Sequence, residues 1–433
     1  SKYINNQLVS DKLSLLGAIK QREGKGEVHI VFNFIMLIFP EEEVYLADTI
    51  DSLDSQLYVN WKLTVISWNP CPDALFEEID SLEWVAIDEE KDVYEVINER
   101  LVVNASDWAC LVEPGVVFES HCLASIINSI NYHPEWQFIY LDEDSLGEGG
   151  QRESPLFKPD FNLDLLRSMP YVGSFCFIKM EVLKILGGFS VFFGAENYDL
   201  AFRILEYSGE QALGHISEIL GHQPCKPVRE FDVEMGLQVL GEHLQRKNID
   251  AMVSHSEVKG CYHVNYKTDT KSKVTIIIPT KDQLPLLKAC IESILEKTNY
   301  PNYEVIVIDN QSEEIETQNY FDEIQLLESN KIRVIKSQKP YNYSAINNFA
   351  VEQAHGDYLV LLNNDTMVLQ EEWLQGMLSH VQRQEVGIVG VKLVYPNKTI
   401  QHAGMMLGMG GNGIAEHLHI GIPMGGGGYM NRA

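Results

Sequence analysis

Three apolar runs near the C-terminal end of the chain finish in residues able to do chemistry. VTIIIP (274–279) leads through Pro279 into Thr280, Lys281 and Asp282. EVIVID (304–309) ends in Asp309 and is followed by Asn310, and DYLVLLNND (357–365) ends in Asn363, Asn364 and Asp365. One carboxylate so placed can accept hydrogen bonds from a base N–H or a ribose hydroxyl. A second, with neighbouring amides, can hold a divalent cation against a diphosphate and neutralise a leaving group. Taken singly, each Asp is equally well explained as a helix cap or turn residue. Three such ends meeting on one sheet edge favour a nucleotide-sugar site.

The elements that position these ends follow from periodicity. The β-branched runs are short and continuously apolar, as strands buried on both faces are. LPLLKACIESILEK (284–297) and SAINNFAVEQA (344–354) between them have helical spacing. Such alternation predicts an α/β fold with a mostly parallel sheet flanked by helices, whose ligands bind beyond the carboxyl ends of the strands. No GxxxxGK[ST] loop and no GxGxxG follows the first strand, which argues against P-loop and dinucleotide-binding chemistry. The glycines of GMGGNG (408–413) and GGGG (425–428) come after the third strand and read as loop material.

The chain repeats itself. SLDSQLYVNWKLTVIS (52–67) resembles SILEKTNYPNYEVIVID (293–309), with Trp61 on Tyr303 and Ser67 on Asp309. VINERLVVNASDWACLVEPGVV (96–117) lies over INNFAVEQAHGDYLVLLNNDTM (346–367) at a constant offset of 250, so that Asn98 falls on Asn348, Asp107 on Asp357 and Gly115 on Asp365. Two blocks in the same order predict tandem copies of one domain. The expected divisions are an N-terminal helical extension over 1–27, a first copy over 28–227, a connector over 228–270 and a second copy over 271–433. The connector is expected to carry an amphipathic helix over 228–249 and a strand over 261–266.

Composition agrees with two folded domains: 433 residues exceed one hydrophobic core, and 45% hydrophobic with 22% charged residues excludes a disordered or fibrous chain. The net charge of -29 opposes nucleic-acid phosphates. Seven cysteines, an odd number without CxxC or zinc spacing, read as reduced thiols. The most apolar run, VHIVFNFIMLIF (28–39), contains Asn33 and is too short to span a bilayer.

These residues resemble a known family, the inverting GT-A glycosyltransferases of family two. The likeness is to the tandem-domain type of bacterial cell-surface polysaccharide, O-antigen and rhamnan pathways, over residues from about 28 to the end. In the second copy it rests on IIIPTKD (276–282), NYEVIVIDNQS (302–312), YNYSAINNFA (341–350), GDYLVLLNND (356–365) and KLVYPNKTIQHAG (392–404). The resemblance implies two tandem Rossmann-like GT-A domains. It also implies nucleotide contacts from Pro279, Thr280, Asp282, Asp309, Asn310, Asn347 and Asn364. Asp365 would be the metal-bound carboxylate, with Mg²⁺ or Mn²⁺ as cofactor, and His402 would approach the donor phosphates. Asn363 stands where many relatives have Asp. Implied partners are a nucleoside-diphosphate sugar donor and a glycan or lipid-linked glycan acceptor. The implied setting is the cytoplasm, with peripheral association at the inner face of its membrane.

The first copy resembles the family on its acceptor side, in YLDEDSLGEGGQRESPLFKPDFNLDLL (140–166), YVGSFCFIK (171–179), GGF (187–189) and GAENYDLAFR (194–203). Its donor side has diverged. Ser67 replaces the nucleotide Asp, Glu113, Pro114 and Gly115 replace the metal motif, and FPEEE (39–43) sets three acids against a diphosphate. The resemblance puts the general base at Asn197, an amide that cannot take a proton, with Glu196 and Asp199 as possible substitutes. Asp142 and Asp144 are either surface acids and caps or remnants of a site. The second copy, conversely, has no counterpart of those acceptor motifs before Ala433. The expectation is a truncated second domain whose base lies beyond that residue and a chain inactive on its own. Two other functions compete: a non-catalytic glycan- or nucleotide-sugar-binding scaffold, and a sugar nucleotidyltransferase, which needs a glycine-rich loop that IIIPTKD does not supply.

Overall fold

The computed structural model describes residues 29–88, 91–224, 231–328, 330–408 and 413–431. The expected 1–27 extension, Cys225, residues 409–412 of GMGGNG and Ala433 lie outside these. The chain divides into two compact units, Ser1–Val264 and Asn265–Ala433.

The first unit is built on a nine-stranded mixed sheet. Its strands are β1 (Phe32–Ile38), β2 (Trp61–Ser67), β3 (Leu82–Ala86), β4 (Trp108–Val112), β5 (Val117–Phe118), β6 (Phe138–Leu146), β7 (Arg152–Leu156), β8 (Cys176–Lys179) and β9 (Leu213–Gln223). The order is β3-β2-β1-β4-β8-β6-β9-β5, with β7 on β6. Every residue of β1 is buried, as a central strand with layers on both sides requires. Asn33 is tolerated there because its Oδ1 accepts a hydrogen bond from Thr64 Oγ1 at 3.2 Å. Phe32, Phe34, Phe118, Phe175 and Phe177 pack edge to face beneath the sheet. A helix, Val233–Arg246, follows, and the hairpin strands β10 (Ala251–His255) and β11 (Tyr262–Tyr266) run to the division between the units.

The second unit has a four-stranded parallel sheet, β14-β13-β12-β15, made of β12 (Val274–Thr280), β13 (Tyr303–Asp309), β14 (Ile332–Lys336) and β15 (Tyr358–Leu361). Its strand order matches β3-β2-β1-β4 of the first unit. Alternation sends Val274, Ile276, Ile278, Val305 and Val307 to one face, under the helices Leu284–Lys297 and Trp373–Val381. Ile277, Ile306 and Ile308 go to the other, under Ile346 and Ala350 of the helix Tyr343–Val351. Two expectations change. The third strand stops at Leu361 instead of running to Asp365, so NND is loop. A helix, Ile315–Leu327, and β14 stand between the second strand and the helix Tyr343–Val351, where no element was expected. Among the described residues the sheet does not continue beyond β15. Two antiparallel pairs follow, β16 (Leu393–Val394) with β17 (Ile400–His402), and β18 (Met405–Leu407) with β19 (Ala415–His417). Among the described residues no helix is long and apolar enough to cross a membrane.

A buried carboxylate pins the amino edge of this sheet. Glu304 is 6% exposed. It accepts hydrogen bonds from Thr275 Oγ1 and the His355 N–H, both at 2.8 Å, and from Lys273 Nζ at 3.0 Å, with Arg333 Nη2 at 3.4 Å. Gly356 closes against the same corner, where a Cβ would lie 2.5 Å from Thr275 N. Burial disfavours the charged carboxylate, but the His355 N–H, Lys273, Thr275 and Arg333 outweigh it and hold the group at about 2, below the ordinary 4.5. A depressed carboxylate stabilises the fold fully above its unfolded value and loses that contribution as pH falls through the folded one. Thermal stability should therefore drop between about pH 4.5 and about pH 2. Glu304→Ala should cost about 1–3 kcal/mol at neutral pH, because it leaves the buried Thr275 hydroxyl without its acceptor, while Lys273 and Arg333, 33% and 35% exposed, can turn to water. Calorimetric melting of both proteins across that pH range checks this: a variant that melts with the parent at neutral pH removes Glu304 from the stability of the unit.

Candidate functional site at the carboxyl edge of the second sheet

Parallel pairing carries the chemistry to one edge. Thr280 of β12 lies opposite Asp309 of β13, which lies opposite Lys336 of β14. Leu362, one residue past β15, donates its N–H to Ile277 O at 2.9 Å, and the Asn363–Asp365 loop leaves from there on the same side.

Hydrogen bonds knit the first two strand ends together. Thr280 is 4% exposed, and its Oγ1 accepts from Asn364 Nδ2 at 2.9 Å, which joins the third strand end to the first. Asp282 and Gln283 both have left-handed backbones, φ 52° and 55°. This tight turn sets the Asp282 N–H on Ser312 Oγ at 2.9 Å. It also sets Asp282 Oδ1 under the N–H groups of Glu313 and Glu314, at 2.9 and 3.0 Å. Asp309, 2% exposed, uses Oδ1 to accept the Ser312 N–H at 2.8 Å, while its Oδ2 has only Gln318 Nε2 at 3.5 Å. The Asn310 N–H donates to Thr280 O at 2.8 Å and its Nδ2 to Lys339 O at 2.9 Å. The capping explanation thus holds for one oxygen of each carboxylate and leaves the other available. Among the described residues no hydrogen bond reaches Asp282 Oδ2.

The remaining candidates behave differently. Asp365 is exposed, and no hydrogen bond or ion pair engages it among the described residues. Its charge is felt behind the loop: burial first and then Asp365 push the Cys290 thiol up to about 12, and Cys290 Sγ lies 3.7 Å from Asn363 O. Asn347, 4% exposed on the helix Tyr343–Val351, donates Nδ2 to Tyr343 O at 2.9 Å and leaves Oδ1 buried without a partner. Pro279 is half-buried within β12. His402, on β17, is half-buried with its Nδ1 2.6 Å from His417 Nδ1, so one ring must donate to the other. Burial and then the neighbouring His417 lower its pKa, which favours the neutral ring. No hydrogen bond ties His402 to the three strand ends.

Sequence reasoning missed Ser312 and Gln318, the residues that orient Asp309 and Asp282. The only local signal was the NQS that follows Asp309. A divalent cation fits the donor set in one way. No group of three or more His, Cys, Asp or Glu able to hold a metal occurs among the described residues. A single exposed carboxylate at Asp365 suits a Mg²⁺-like ion that takes its other oxygens from diphosphate and water.

The matching edge of the first unit is filled by protein. Ser67, opposite Ile38, accepts the Asn69 N–H on its Oγ at 3.1 Å. Phe39 stacks on Trp68 with ring centres 4.9 Å apart, and Phe193 meets Phe39 edge-on at 6.0 Å. Glu42 accepts the Phe39 N–H at 2.9 Å and Glu43 accepts Asn69 Nδ2 at 2.9 Å, so these acids hold their own loops. Gly115 has φ 87° and donates its N–H to Thr49 Oγ1 at 3.0 Å.

Asn197 donates Nδ2 to Gly173 O and Ser174 O at 3.2 and 3.0 Å. Glu196 accepts the Tyr94 hydroxyl at 2.6 Å, and Asp199 is paired with Arg203 at 2.7 Å. Asp142 and Asp144 are not surface acids: they are 2% and 3% exposed. His215 Nε2 and the Lys158 N–H bind Asp142 at 3.0 and 2.7 Å. Asp144 is held by His222 Nδ1 and, at 2.6 Å, by Arg152 Nε.

Comparison with known proteins finds relatives over most of the chain. Over 421 residues the chain is 31% identical to y4gI, an uncharacterized protein of Sinorhizobium fredii, covering 93% of this chain and 46% of that protein. Over 411 residues it is 33% identical to the O-antigen biosynthesis protein RfbC of Myxococcus xanthus, covering 91% of this chain and 32% of that one. The chain thus spans less than half the length of each. Among solved structures, S. aureus TarS 1–349 in complex with UDP overlaps 50% of this chain and 65% of its own, at 13% identity and a TM-score of 0.38. The mannosyltransferase PcManGT of Pyrobaculum calidifontis, in complex with GDP-Man and Mn²⁺, overlaps 57% and 75%, at 15% identity and the same TM-score of 0.38. Residues 275–423, which contain the strand ends of the second unit, match the family Glycosyl transferase family 2. Residues 275–423, in the second unit, are thus similar to family-two glycosyltransferases.

Proposed function

We propose that the second unit binds the nucleoside-diphosphate sugar donor of an inverting transferase that extends a bacterial cell-surface polysaccharide. The first unit is then a degenerate tandem copy without catalysis. One observation carries this reading. At a single sheet edge, Asp309 and Asp282 each have one oxygen fixed by backbone N–H groups and the other available, and exposed Asp365 stands on the neighbouring strand end. Asp309 and Thr280 would hold the nucleoside, with Asn310, Asn347 and Asn364 framing it, and Asp365 would carry the Mg²⁺ or Mn²⁺. A bound cation would neutralise the departing diphosphate.

In the transfer, an acceptor hydroxyl oxygen would bond to the anomeric carbon from the side opposite the nucleotide. The bond from that carbon to the phosphate oxygen would break, the diphosphate would leave, and the hydroxyl proton would pass to a general base. The acceptor would be a glycan or lipid-linked glycan in the cytoplasm at the membrane face. The shared strand order supports tandem copies, while Ser67 and the Phe39–Trp68 stack favour a scaffold role for the first unit. Calorimetric titration of the whole chain with UDP, GDP and ADP, each with Mn²⁺, tests the assignment. One nucleotide per chain is expected for the preferred base; two equal sites, or none for any base, would reject it.

A further inference from the structure

The carboxyl edge of the first sheet carries rings where the second carries polar groups. Strand pairing sets Ile38 opposite Ser67 as it sets Thr280 opposite Asp309, so the next residues, Phe39 and Trp68, stand where the second unit has Lys281 and Asn310. At the offset of 250, buried Ile97 takes the place of Asn347 and Gly115 that of Asp365. A Cβ on Gly115 would lie 3.3 Å from Tyr45 Cβ, so an exposed tyrosine borders the counterpart of Asp365.

The rings are not sealed in. Phe39 and Trp68 are only half-buried although stacked on each other, and Phe193, which meets Phe39 edge-on, is 36% exposed. Among the described residues no acceptor meets the Trp68 indole N–H, whereas Trp84 Nε1 donates to Asn69 O at 3.0 Å. Acceptors stand close by: Glu42 and Glu43 are fixed by the Phe39 N–H and Asn69 Nδ2, and Glu41 is exposed. The contacts of Phe193 with Phe39 and of Glu196 with the Tyr94 hydroxyl hold the 193–197 segment to this edge, and Asn197 Oδ1 in that segment is buried without a donor.

We propose that the Phe39, Trp68 and Phe193 rings at this edge bind an uncharged glycan strand. A pyranose has a face of C–H groups and a rim of hydroxyls. The C–H face is drawn to the electron-rich face of an aromatic ring, while the rim needs both acceptors and donors. Carboxylates and an unused indole N–H supply these beside the rings, as in sites that are mostly apolar with a few placed polar groups. Charge decides the class of glycan: Glu41, Glu42 and Glu43 repel phosphorylated or uronic sugars and anionic lipid, which leaves neutral hexoses and deoxyhexoses. The proposal rests on the reading of the first unit as a non-catalytic copy in a glycan-extending protein, and it gives that copy a ligand.

Isothermal titration of the 433-residue chain tests it, with neutral oligosaccharides of mannose, glucose and rhamnose, oligogalacturonate as the acidic control, and UDP and GDP with Mn²⁺ titrated into the same proteins. At least one neutral oligosaccharide should bind, shift the tryptophan emission to the blue, and lose at least about tenfold in affinity with Trp68→Ala and with Phe193→Ala. Phe193→Ala should melt with the parent, because the ring it removes is partly in water, so its loss of sugar binding is not loss of fold. Trp68→Phe, which keeps a ring and drops the N–H, should lose less than Trp68→Ala. Failure of every neutral oligosaccharide to bind overturns the proposal, as does affinity unchanged in both alanine variants or tighter binding of oligogalacturonate. So does a dimer in light scattering that Phe193→Ala dissolves while no sugar binds, since that gives the edge to a second copy. Sugar binding through Trp68 without nucleotide binding supports the glycan site and rejects the donor site. Nucleotide binding without sugar binding spares the donor site and rejects the glycan site.

Discussion

Asp309→Ala should weaken nucleoside-diphosphate binding by at least about tenfold whether or not Mn²⁺ is present, whereas Asp365→Ala should lose only the part of the affinity that Mn²⁺ adds. The difference follows from how each carboxylate is held. Asp309 is 2% exposed, with Oδ1 fixed by the Ser312 N–H and Oδ2 nearly free. A charged acceptor so prepared contributes about 1.5–3 kcal/mol to a hydrogen bond, which is roughly 10- to 150-fold in affinity. Asp365 is exposed and, among the described residues, without internal partners, so its charge counts when a cation joins it to phosphate.

Because Asp309 also anchors the Ser312 turn, Asp309→Asn is the sharper variant. Its amide oxygen keeps that acceptor while the charge is lost, so a matching loss of affinity separates ligand contact from loop collapse. Isothermal titration of the four proteins with and without Mn²⁺ decides the matter. Equal losses for Asp309→Ala and Asp365→Ala under both conditions would remove the division of roles.

The strand ends were legible because continuous apolar runs can be read without tertiary knowledge, and each finishes in polar residues. The helix Leu284–Lys297 has the bounds its periodicity predicts. The helix Ile315–Leu327 was not legible: IETQNYFDEIQLL buries only Thr317, Phe321 and Ile324, so its apolar stripe is thin. β14 was missed because it is a short edge strand with one fully buried residue, Ile332. Asp142 and Asp144 could not be placed because their partners His215 and His222 lie 73 and 78 residues away and meet them only through the β6–β9 pairing. Asn347 was reached by family likeness alone. Nothing in its local sequence announces that its Oδ1 is buried without a donor.

The second large effect concerns transfer itself. The 433-residue chain should bind the donor yet transfer no sugar. The candidate residues in the second unit can hold a nucleotide and a cation, but none is placed to take the acceptor proton. Asp309 and Asp282 each spend one oxygen on backbone N–H groups of the 312–314 loop, and His402 is engaged with His417, where burial favours its neutral form. In the first unit Asn197 is an amide, Glu196 accepts the Tyr94 hydroxyl and Asp199 is paired with Arg203. General-base assistance contributes about 10²–10⁴-fold, and orientation of the acceptor contributes more, so losing both leaves transfer below detection. Donor consumption with a polysaccharide-precursor acceptor, followed for the 433-residue chain and its Asp365→Ala variant, measures this. Acceptor-dependent transfer by the 433-residue chain, abolished by Asp365→Ala, would mean that a base already stands within it; His402→Ala and Glu196→Gln would then show which residue takes the proton.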